Sequence, residues 1–313
     1  MSLKETFEKQ GGMKLLRQYR KGGALFTGIC EFLLLGKSKT ALEILRLSAN
    51  LKIKQKMEKQ YKQKIKELEE LFTETKTQEE RKIWICWMQG MENAPEIVKI
   101  CYSSLKRNIC NREIVLITEK NYRDYVMFPD FIQDKIEKGI ISGAHMSDLL
   151  RLELLDKYGG TWIDATVYCS GKNIPSYMLD SELFLFQCLK PGKDGHSTTI
   201  SNWFITAEVH HKFIFMVKEL LYEYWKENNE VVDYFIFHDF FQMIIDKYPK
   251  EWNKVVPFSN SIPHILLLRI YEQYNSEIWD AVIDMVPFHK LSYKLDVRKA
   301  EKENTFYSEI LRR

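Results

Sequence analysis

Apolar residues recur along the chain with two different periods, and the change between them comes near residue 81. In residues 52–72, apolar side chains are three or four positions apart, which predicts an amphipathic helix. These side chains are Ile53, Met57, Tyr61, Ile65, Leu68 and Phe72. Residues 73–81 (TETKTQEER) are polar and show no apolar period, so we place a domain boundary there. We predict a basic helical region over residues 1–80 and a second, larger domain over residues 81–313.

After the boundary, short apolar runs alternate with segments of helical period. The predicted strands are 82–87, 113–118, 161–168 and 183–187, and the predicted helices are 94–106, 131–138 and 147–158. This alternation predicts an α/β fold whose central sheet is mostly parallel, with helices on both faces. Ligands bind such sheets beyond the carboxyl ends of the strands. No GxGxxG motif follows a predicted strand, which argues against a dinucleotide site.

Composition excludes wholesale disorder, because 45% of the 313 residues are hydrophobic. The net charge of +3 conceals an uneven distribution. Residues 1–66 contain 16 Lys and Arg against 5 acidic residues, a net charge of +11, which leaves −8 on the other 247 residues. Two interpretations of this basic arm stay open: a helical hairpin packed on the main domain, or an amphipathic element on an anionic membrane, reached through residues 1–72.

Nucleic-acid binding is a weaker third interpretation of the arm. Aromatic residues are sparse among its basic residues and no nucleic-acid motif is present, so we expect no nucleic-acid partner. The six cysteines contain no CxxC pair and show no zinc-site spacing, which predicts free thiols. The first residues lack the apolar run of a signal peptide, and the longest apolar stretch, residues 25–35, is too short to span a bilayer. We expect a cytoplasmic protein.

The segment AHMSDLLRLELLDKYGGTWIDATVYCS, residues 144–170, carries the most chemical information. Ser147 is a plausible N-cap, which would place Asp148 in the first turn of a helix. Asp148 and Arg151 are three residues apart and share a helix face, as a surface ion pair would.

A Gly159-Gly160 pair ends this helix, and the following strand delivers Asp164. A carboxylate at the tip of a strand is a typical place for a metal or sugar ligand in an α/β sheet, and a turn-stabilising aspartate is the alternative.

The pattern SDxLRxxLLxxYGGxWxDAT resembles the bacterial capsular polysaccharide synthesis family and, more distantly, glycosyltransferases with a DxD motif. Further blocks follow in order: IWxxWxQGxENAPxxVKxCxxS near the first strand, then residues 201–204, 233–235 and 289–291. The resemblance spans roughly residues 82–294 and leaves the basic arm uncovered. It implies a GT-A-like fold and transfer of a sugar from a nucleotide-sugar donor, most often a UDP-sugar, usually with retention of configuration.

The resemblance also implies roles for individual residues. Asp148 and Arg151 match the helix residues that bind donor-sugar hydroxyls, and Asp164 matches the first DxD carboxylate, which touches ribose, sugar and metal. We expect these three as catalytic residues. Thr166 replaces the second carboxylate. A hydroxyl is a weak ligand for a divalent cation, so an Mn²⁺ or Mg²⁺ site at Asp164 and Thr166 needs other oxygens.

Other matches concern the nucleotide. Trp84 matches the aromatic residue that stacks on the base, with Trp87 as a second choice and core packing as the alternative for either. His289, Ser292 and Tyr293 resemble late elements near the diphosphate, so Ser292 and Tyr293 are expected to bind the donor. His289 is expected as a metal or phosphate ligand, with a structural histidine as the alternative.

Polar residues remain for the acceptor. Asn202 could contact the sugar or the acceptor. His238 and Asp239 interrupt the apolar run YFIFHDFF. They either form a buried hydrogen-bonded pair or face the cleft and bind the acceptor.

Together these observations predict a glycosyltransferase that extends a lipid-linked oligosaccharide in the synthesis of capsular or related surface polysaccharides. It would work as a peripheral protein at the inner face of the cell membrane. Because no enzyme nucleophile is identifiable, we expect the acceptor to attack from the face that the leaving group vacates. The missing second carboxylate motivates one alternative, an inactive transferase fold that serves as a membrane scaffold.

Overall fold

A computed structural model describes residues 11–74, 81–171, 173–189 and 198–312. The helices are α1 Gly12–Gly22, α2 Leu25–Leu35, α3 Lys39–Leu71, α4 Glu96–Asn108, α5 Tyr122–Tyr125, α6 Asp130–Glu137, α7 Gly143–Tyr158, α8 Ser176–Asp180, α9 Lys212–Glu227, α10 Ile236–Lys247, α11 Pro249–Trp252, α12 Ile265–Arg269, α13 Ser276–Met285 and α14 Val297–Ala300. The strands are β1 Ile83–Cys86, β2 Ile114–Ile117, β3 Gly160–Ile163, β4 Val167–Cys169, β5 Leu183–Gln187, β6 Ile200–Ala207 and β7 Phe288–Lys290.

The central sheet has five strands in the order β2-β1-β3-β6-β5. Strand β1 pairs in parallel with β2 and β3, whereas β6 runs antiparallel to its neighbours β3 and β5. All strands of this sheet except β6 therefore run in one direction. This arrangement confirms the predicted α/β fold with a mostly parallel sheet and a preceding helical arm.

The single strand predicted over residues 161–168 is wrong, because this segment forms two strands in two sheets. Strand β3 ends at Ile163, and a turn follows in which the Val167 amide donates to the Asp164 carbonyl at 3.0 Å. Strand β4 then pairs antiparallel with β7 in a separate two-stranded sheet. The turn leaves Asp164 at the tip of β3, as predicted. The pairing of β4 with β7 then brings residues 288–290 close to this turn.

The central sheet is covered on both faces by apolar side chains. Alternate residues of a strand point to opposite faces, so Trp84 of β1 lies in one core cluster and its neighbours Ile83 and Ile85 lie in the other. The second cluster includes the predicted face of α4: Ile97, Val98, Cys101 and Leu105. Two of the cysteines are buried, and none of the six, which all lie in the described ranges, forms a disulfide, as predicted.

The long helix α3 packs on the main domain against α9 and α10. Five members of its predicted apolar stripe are buried, from Ile53 to Leu68. The Tyr61 ring meets Phe240 edge-on at 5.0 Å, and Lys54 bonds Asp246 at 2.9 Å. The packed-hairpin interpretation therefore holds for α3. The predicted boundary falls largely on residues 75–80, which lie outside the described residues, and the division of the chain into two domains stays a prediction.

Helix α2 differs from α3, because it carries large apolar side chains that are exposed. We call the exposed set Phe26, Ile29, Leu33 and Leu34 the α2 patch. The opposite side of α2 is close-packed, since a Cβ on Gly28 would lie only 3.1 Å from the Tyr19 ring. In the ranges that the structure describes, no helix is both long and apolar enough to cross a bilayer.

The glycine pair between α7 and β3 fixes the direction in which β3 enters the sheet. Gly159 and Gly160 have φ values of 65° and 91°, which residues other than glycine rarely adopt. A Cβ on Gly160 would lie 2.3 Å from the carbonyl oxygen of Lys82, the residue before β1. The predicted glycine turn is therefore confirmed, and close contact with the neighbouring strand also excludes a side chain at residue 160.

Candidate active site

A cleft of about 660 Å³ opens at one edge of the central sheet, within the size range of small-molecule sites. Residues that follow β1, the tip of β3 and the start of β6 line it, together with one side of α7. Because β6 runs antiparallel, its first residues lie at the same edge as the carboxyl ends of β1 and β3. The cleft thus occupies the place expected for a ligand in an α/β sheet.

Helix α7 begins one turn earlier than predicted. Its N-cap is Ser142, whose hydroxyl accepts from the His145 amide at 3.5 Å, and the proposal of Ser147 as N-cap is wrong. Asp148 therefore lies in the second turn, away from the unpaired amides of the helix end. Its position places it on the cleft wall with Arg151, one turn further along.

Arg151 connects three elements beneath the cleft. Its Nη2 lies 3.5 Å from Asp148 Oδ1 on α7 and 3.7 Å from Asp164 Oδ1 at the tip of β3. Its Nη1 donates to the Asn202 carbonyl on β6, and its guanidinium lies 4.9 Å from the centre of the Trp162 ring. Arg151 is only 5% exposed, so the surface ion-pair interpretation is wrong.

The pKa values of the two aspartates shift in opposite directions although Arg151 lies beside both. Burial raises the pKa of Asp148 to about 6, against the opposing effects of Arg151 and of the hydrogen bond from Asn202 Nδ2 at 2.9 Å. Burial also acts on Asp164, but Lys290 and Arg151 outweigh it and lower the pKa of that carboxyl below its usual value. Asp164 is therefore firmly ionised, and Asp148 titrates closer to neutrality.

Lys290 was missed by sequence reasoning and is central to the site. Its Nζ lies 2.9 Å from Asp164 Oδ2 and 2.7 Å from Thr166 Oγ1, and it lines the cleft. Residues 289 and 290 are consecutive on β7, so their side chains point to opposite sides. If residues 288–290 had been predicted as a strand, its alternation would have placed the side chains of His289 and Lys290 on opposite sides and so given them different roles.

His289 faces the core, and its prediction as a metal ligand is wrong. It is fully buried, its Nε2 lies 2.8 Å from Ser170 Oγ, and its ring lies 5.2 Å from Trp279. Burial lowers the pKa of His289 to about 3, so the ring is neutral. The structural-histidine alternative holds.

The predicted metal site of Asp164, Thr166 and His289 is not assembled. Asp164 and Thr166 both bond the Lys290 ammonium. No group of three or more His, Cys, Asp or Glu residues that could hold a metal ion occurs in the described ranges. Mg²⁺ takes six oxygen ligands, of which a protein commonly supplies one or two carboxylates, and here the one carboxylate and the one hydroxyl are already bonded by an ammonium. The residues present therefore do not fit a resident Mn²⁺ or Mg²⁺.

The two tryptophans proposed to stack on the nucleotide base differ in location: Trp84 lies in the core, and Trp87 lines the cleft. Trp84 is fully buried, and its Nε1 donates to the Gly159 carbonyl at 2.9 Å. It belongs to the core, so stacking of Trp84 on a nucleotide base is excluded. Trp87 and Tyr293 line the cleft and meet edge-on at 5.7 Å. Ser292 is not among the residues that line the cleft, and its hydroxyl accepts from the Lys294 amide at 3.1 Å.

Two of the three acceptor candidates reach the cleft. Asn202 and His238 line it, and burial together with Arg151 lowers the pKa of His238 to about 3. Asp239 does not reach the cleft, because successive helix residues point about 100° apart. It is fully buried, and its Oδ1 accepts from Asn50 Nδ2 of α3 at 2.8 Å. The prediction of Asp239 as an acceptor ligand is wrong.

Three comparisons with known proteins show what this chain is similar to. A family model described as capsular polysaccharide synthesis protein matches residues 37–310, which extends the similarity into α3. The curated protein O-glycosyltransferase braB of Annulohypoxylon truncatum is 30% identical over 95 residues, which cover 28% of this chain and 23% of that protein. A solved structure, the PaToxG glycosyltransferase, aligns over 83% of this chain and 93% of that chain, at 12% identity and a TM-score of 0.38.

Replacement of Arg151 is expected to destabilise the fold strongly. Arg151→Ala would leave the buried Asp148 carboxylate without its cation, and loss of one partner of a buried ion pair typically costs about 3–5 kcal/mol in the free energy of unfolding. Arg123→Ala is the control, because its side chain is 60% exposed where it pairs with Glu137, and a loss below about 1 kcal/mol is expected. Urea unfolding followed by tryptophan fluorescence measures both. Equal losses would contradict a structural role for the buried guanidinium.

Proposed function

The chain belongs to the capsular polysaccharide synthesis protein family, whose model matches most of it, and we propose that it is a glycosyltransferase. It transfers a sugar from a nucleotide-sugar donor, with a UDP-sugar as the expected donor, to a lipid-linked oligosaccharide. One observation carries this proposal: Asp148, Arg151 and Asp164 converge on a single cleft at the carboxyl ends of β1 and β3.

The cleft offers complementary regions for such a donor. The ionised Asp164 and the amide of Asn202 can hydrogen-bond sugar hydroxyls, as can Asp148. Trp87 and Tyr293 give the wall of the cleft an aromatic surface suited to a base. Lys290 lines the same cleft, bonds Asp164 and precedes Tyr293 by three residues, so we place the diphosphate of a bound nucleotide sugar beside it.

The chemistry favours attack by the acceptor from the face of the leaving group. Asp148 and Asp164 are the carboxylates that line the cleft among the described residues, and both are held beside Arg151. A carboxylate that acts as a nucleophile must instead form a covalent bond with the anomeric carbon, and the contacts with Arg151 disfavour this for both aspartates. We therefore propose retention of configuration without a covalent enzyme intermediate.

A peripheral position on the inner face of the cell membrane would bring this site to a lipid-linked acceptor. The α2 patch supplies apolar side chains, and the arm around it carries the net charge of +11 over residues 1–66. Each Lys or Arg near an anionic leaflet contributes about 1 kcal/mol. Buried apolar side chains add to this attraction.

Asp164→Asn tests the site assignment. The change keeps the size of the side chain but removes the negative charge at the tip of β3, so transfer is expected to fall by about a hundredfold or more. Release of UDP from UDP-sugars, with a short lipid-linked acceptor, measures it. Asp280→Asn, on the exposed side of α13, is the control and is expected to keep full activity. Near-normal transfer by a folded Asp164→Asn protein would contradict the assignment. If the wild-type protein releases no nucleotide from any donor, the scaffold alternative is favoured.

The pKa of Asp148 predicts how transfer depends on pH. Below pH 6 Asp148 becomes protonated and loses the negative charge that strengthens its hydrogen bonds with sugar hydroxyls, so kcat/KM is expected to fall with an apparent pKa near 6. Asn202→Ala removes a hydrogen bond that lowers this pKa, and it should move the midpoint to higher pH. A profile that is flat between pH 5 and 8 would contradict the role of Asp148.

The α2 patch can be tested without disturbing the core. Leu33→Ser/Leu34→Ser is expected to weaken cosedimentation with anionic phosphatidylglycerol vesicles at least about tenfold, because apolar contact with the bilayer is lost. Leu268→Ser is the matched control, since Leu268 and Leu33 are each 77% exposed. High salt should weaken binding of the wild-type protein. Absence of binding at both low and high salt would exclude the membrane proposal. Deletion of residues 1–72 is a poorer test, because it removes the buried face of α3.

A further inference from the structure

The ammonium of Lys290 occupies the position between the two residues that match a DxD motif. It bonds Asp164 at the first motif position and Thr166 at the third. We propose that Lys290 binds the diphosphate of the donor and stabilises the charge that develops on the leaving group, in the role that a divalent cation has in enzymes with a complete DxD motif. This inference rests on the proposed function.

The surroundings of Asp164 favour a fixed ammonium over a metal ion. Asp164 Oδ1 accepts from Trp162 Nε1 at 3.0 Å and lies 3.7 Å from Arg151, while Oδ2 is bonded by Lys290. Both carboxylate oxygens therefore already face positive or donor groups. A dication at this carboxylate would have to displace Lys290 and stand close to a second buried cation, which Coulomb repulsion disfavours.

The backbone holds Lys290 in place before any ligand binds. Lys290 pairs with Val167 across the β4–β7 sheet, and the Leu291 amide donates to the Thr166 carbonyl at 2.9 Å. The turn that carries Asp164 and the strand that carries Lys290 are thus joined by main-chain hydrogen bonds. A charge fixed in this way stabilises a transition state without reorganisation during the reaction.

Lys290 retains a hydrogen-bond donor for the ligand. An ammonium has three N–H donors, and Asp164 and Thr166 are the two acceptors that it bonds among the described residues. Its side chain is 19% exposed and lines the same cleft as the two aspartates, Trp87 and Tyr293. One N–H can therefore be donated to a phosphate oxygen in a charge-assisted hydrogen bond.

The proposed step balances without a further reactant. The bond between the anomeric carbon and the phosphate oxygen breaks, and its electron pair stays on the nucleoside diphosphate. The acceptor hydroxyl oxygen bonds the anomeric carbon on the same face, and its proton passes to the departing phosphate oxygen. Lys290 keeps its own proton throughout and acts through its charge and its hydrogen bond.

Nucleotide binding by the full-length protein tests the inference directly. Calorimetry with UDP and with GDP, each in EDTA and in Mn²⁺, is expected to give the same affinity for the preferred nucleotide with and without the metal. Lys290→Met keeps the length of the side chain without the charge and should weaken binding roughly tenfold to a hundredfold. Lys290→Arg keeps the charge and should retain much of the affinity. Lys302→Ala, at an exposed lysine further along the chain, is the control and should bind like the wild type.

The outcomes separate this inference from the proposed function. Binding that requires Mn²⁺, binding that Lys290→Met leaves unchanged in a folded protein, or no binding of either nucleotide would overturn the role of Lys290. Sugar transfer that is lost in EDTA and restored by Mn²⁺ would support the function and overturn the inference. Metal-independent, Lys290-dependent binding without transfer to any acceptor would contradict the function and leave the diphosphate site in place.

Discussion

The arrangement of the cleft depends on one buried guanidinium. Arg151 reaches Asp148 on its own helix, Asp164 at the tip of β3 and the main chain of Asn202 on β6, while it stacks over Trp162. A buried carboxylate without a cation destabilises the fold. The positions of Asp148 and Asp164 therefore both depend on the position of Arg151. Arg151 lowers the pKa of both carboxylates, and the two values differ because Lys290 lowers the pKa of Asp164 further while burial raises that of Asp148. Stability and chemistry are therefore coupled at this point of the fold.

The sequence predicted where elements lie better than which way their side chains face. The apolar stripe of α3, the buried strands β1, β2 and β5 and the glycine turn before β3 follow from local period and propensity. The predictions were wrong where a tertiary contact determines the orientation of a side chain or the course of a strand. Trp84 was assigned to a ligand by resemblance, but β1 turns it toward the helices on one face of the sheet. Strand β6 was missed, because its polar start, which lines the cleft, interrupts the apolar period.

The pairs His238–Asp239 and His289–Lys290 show the same limit at the level of the site. In each pair the sequence marks a polar dipeptide within apolar surroundings, and only one member reaches the cleft. On α10 it is the first residue, and on β7 it is the second. Helix rotation and strand alternation predict that neighbours diverge, but they do not say which neighbour faces the ligand. That choice is made by packing against α3 in one case and by pairing with β4 in the other.

The replacement of a carboxylate by Thr166 need not mean a loss of function when Lys290 is considered with it. A motif with two carboxylates attracts a dication, which in turn attracts a diphosphate. With one carboxylate and one hydroxyl, the same space holds a single fixed positive charge. An ammonium carries one positive charge, whereas a dication carries two. The fixed position of Lys290 offsets this difference, because the β4–β7 pairing holds the ammonium beside the turn and no ion has to be bound from solution. Thr166 at the third motif position and the ammonium of Lys290 are therefore two parts of one electrostatic arrangement, and the role of each depends on the other.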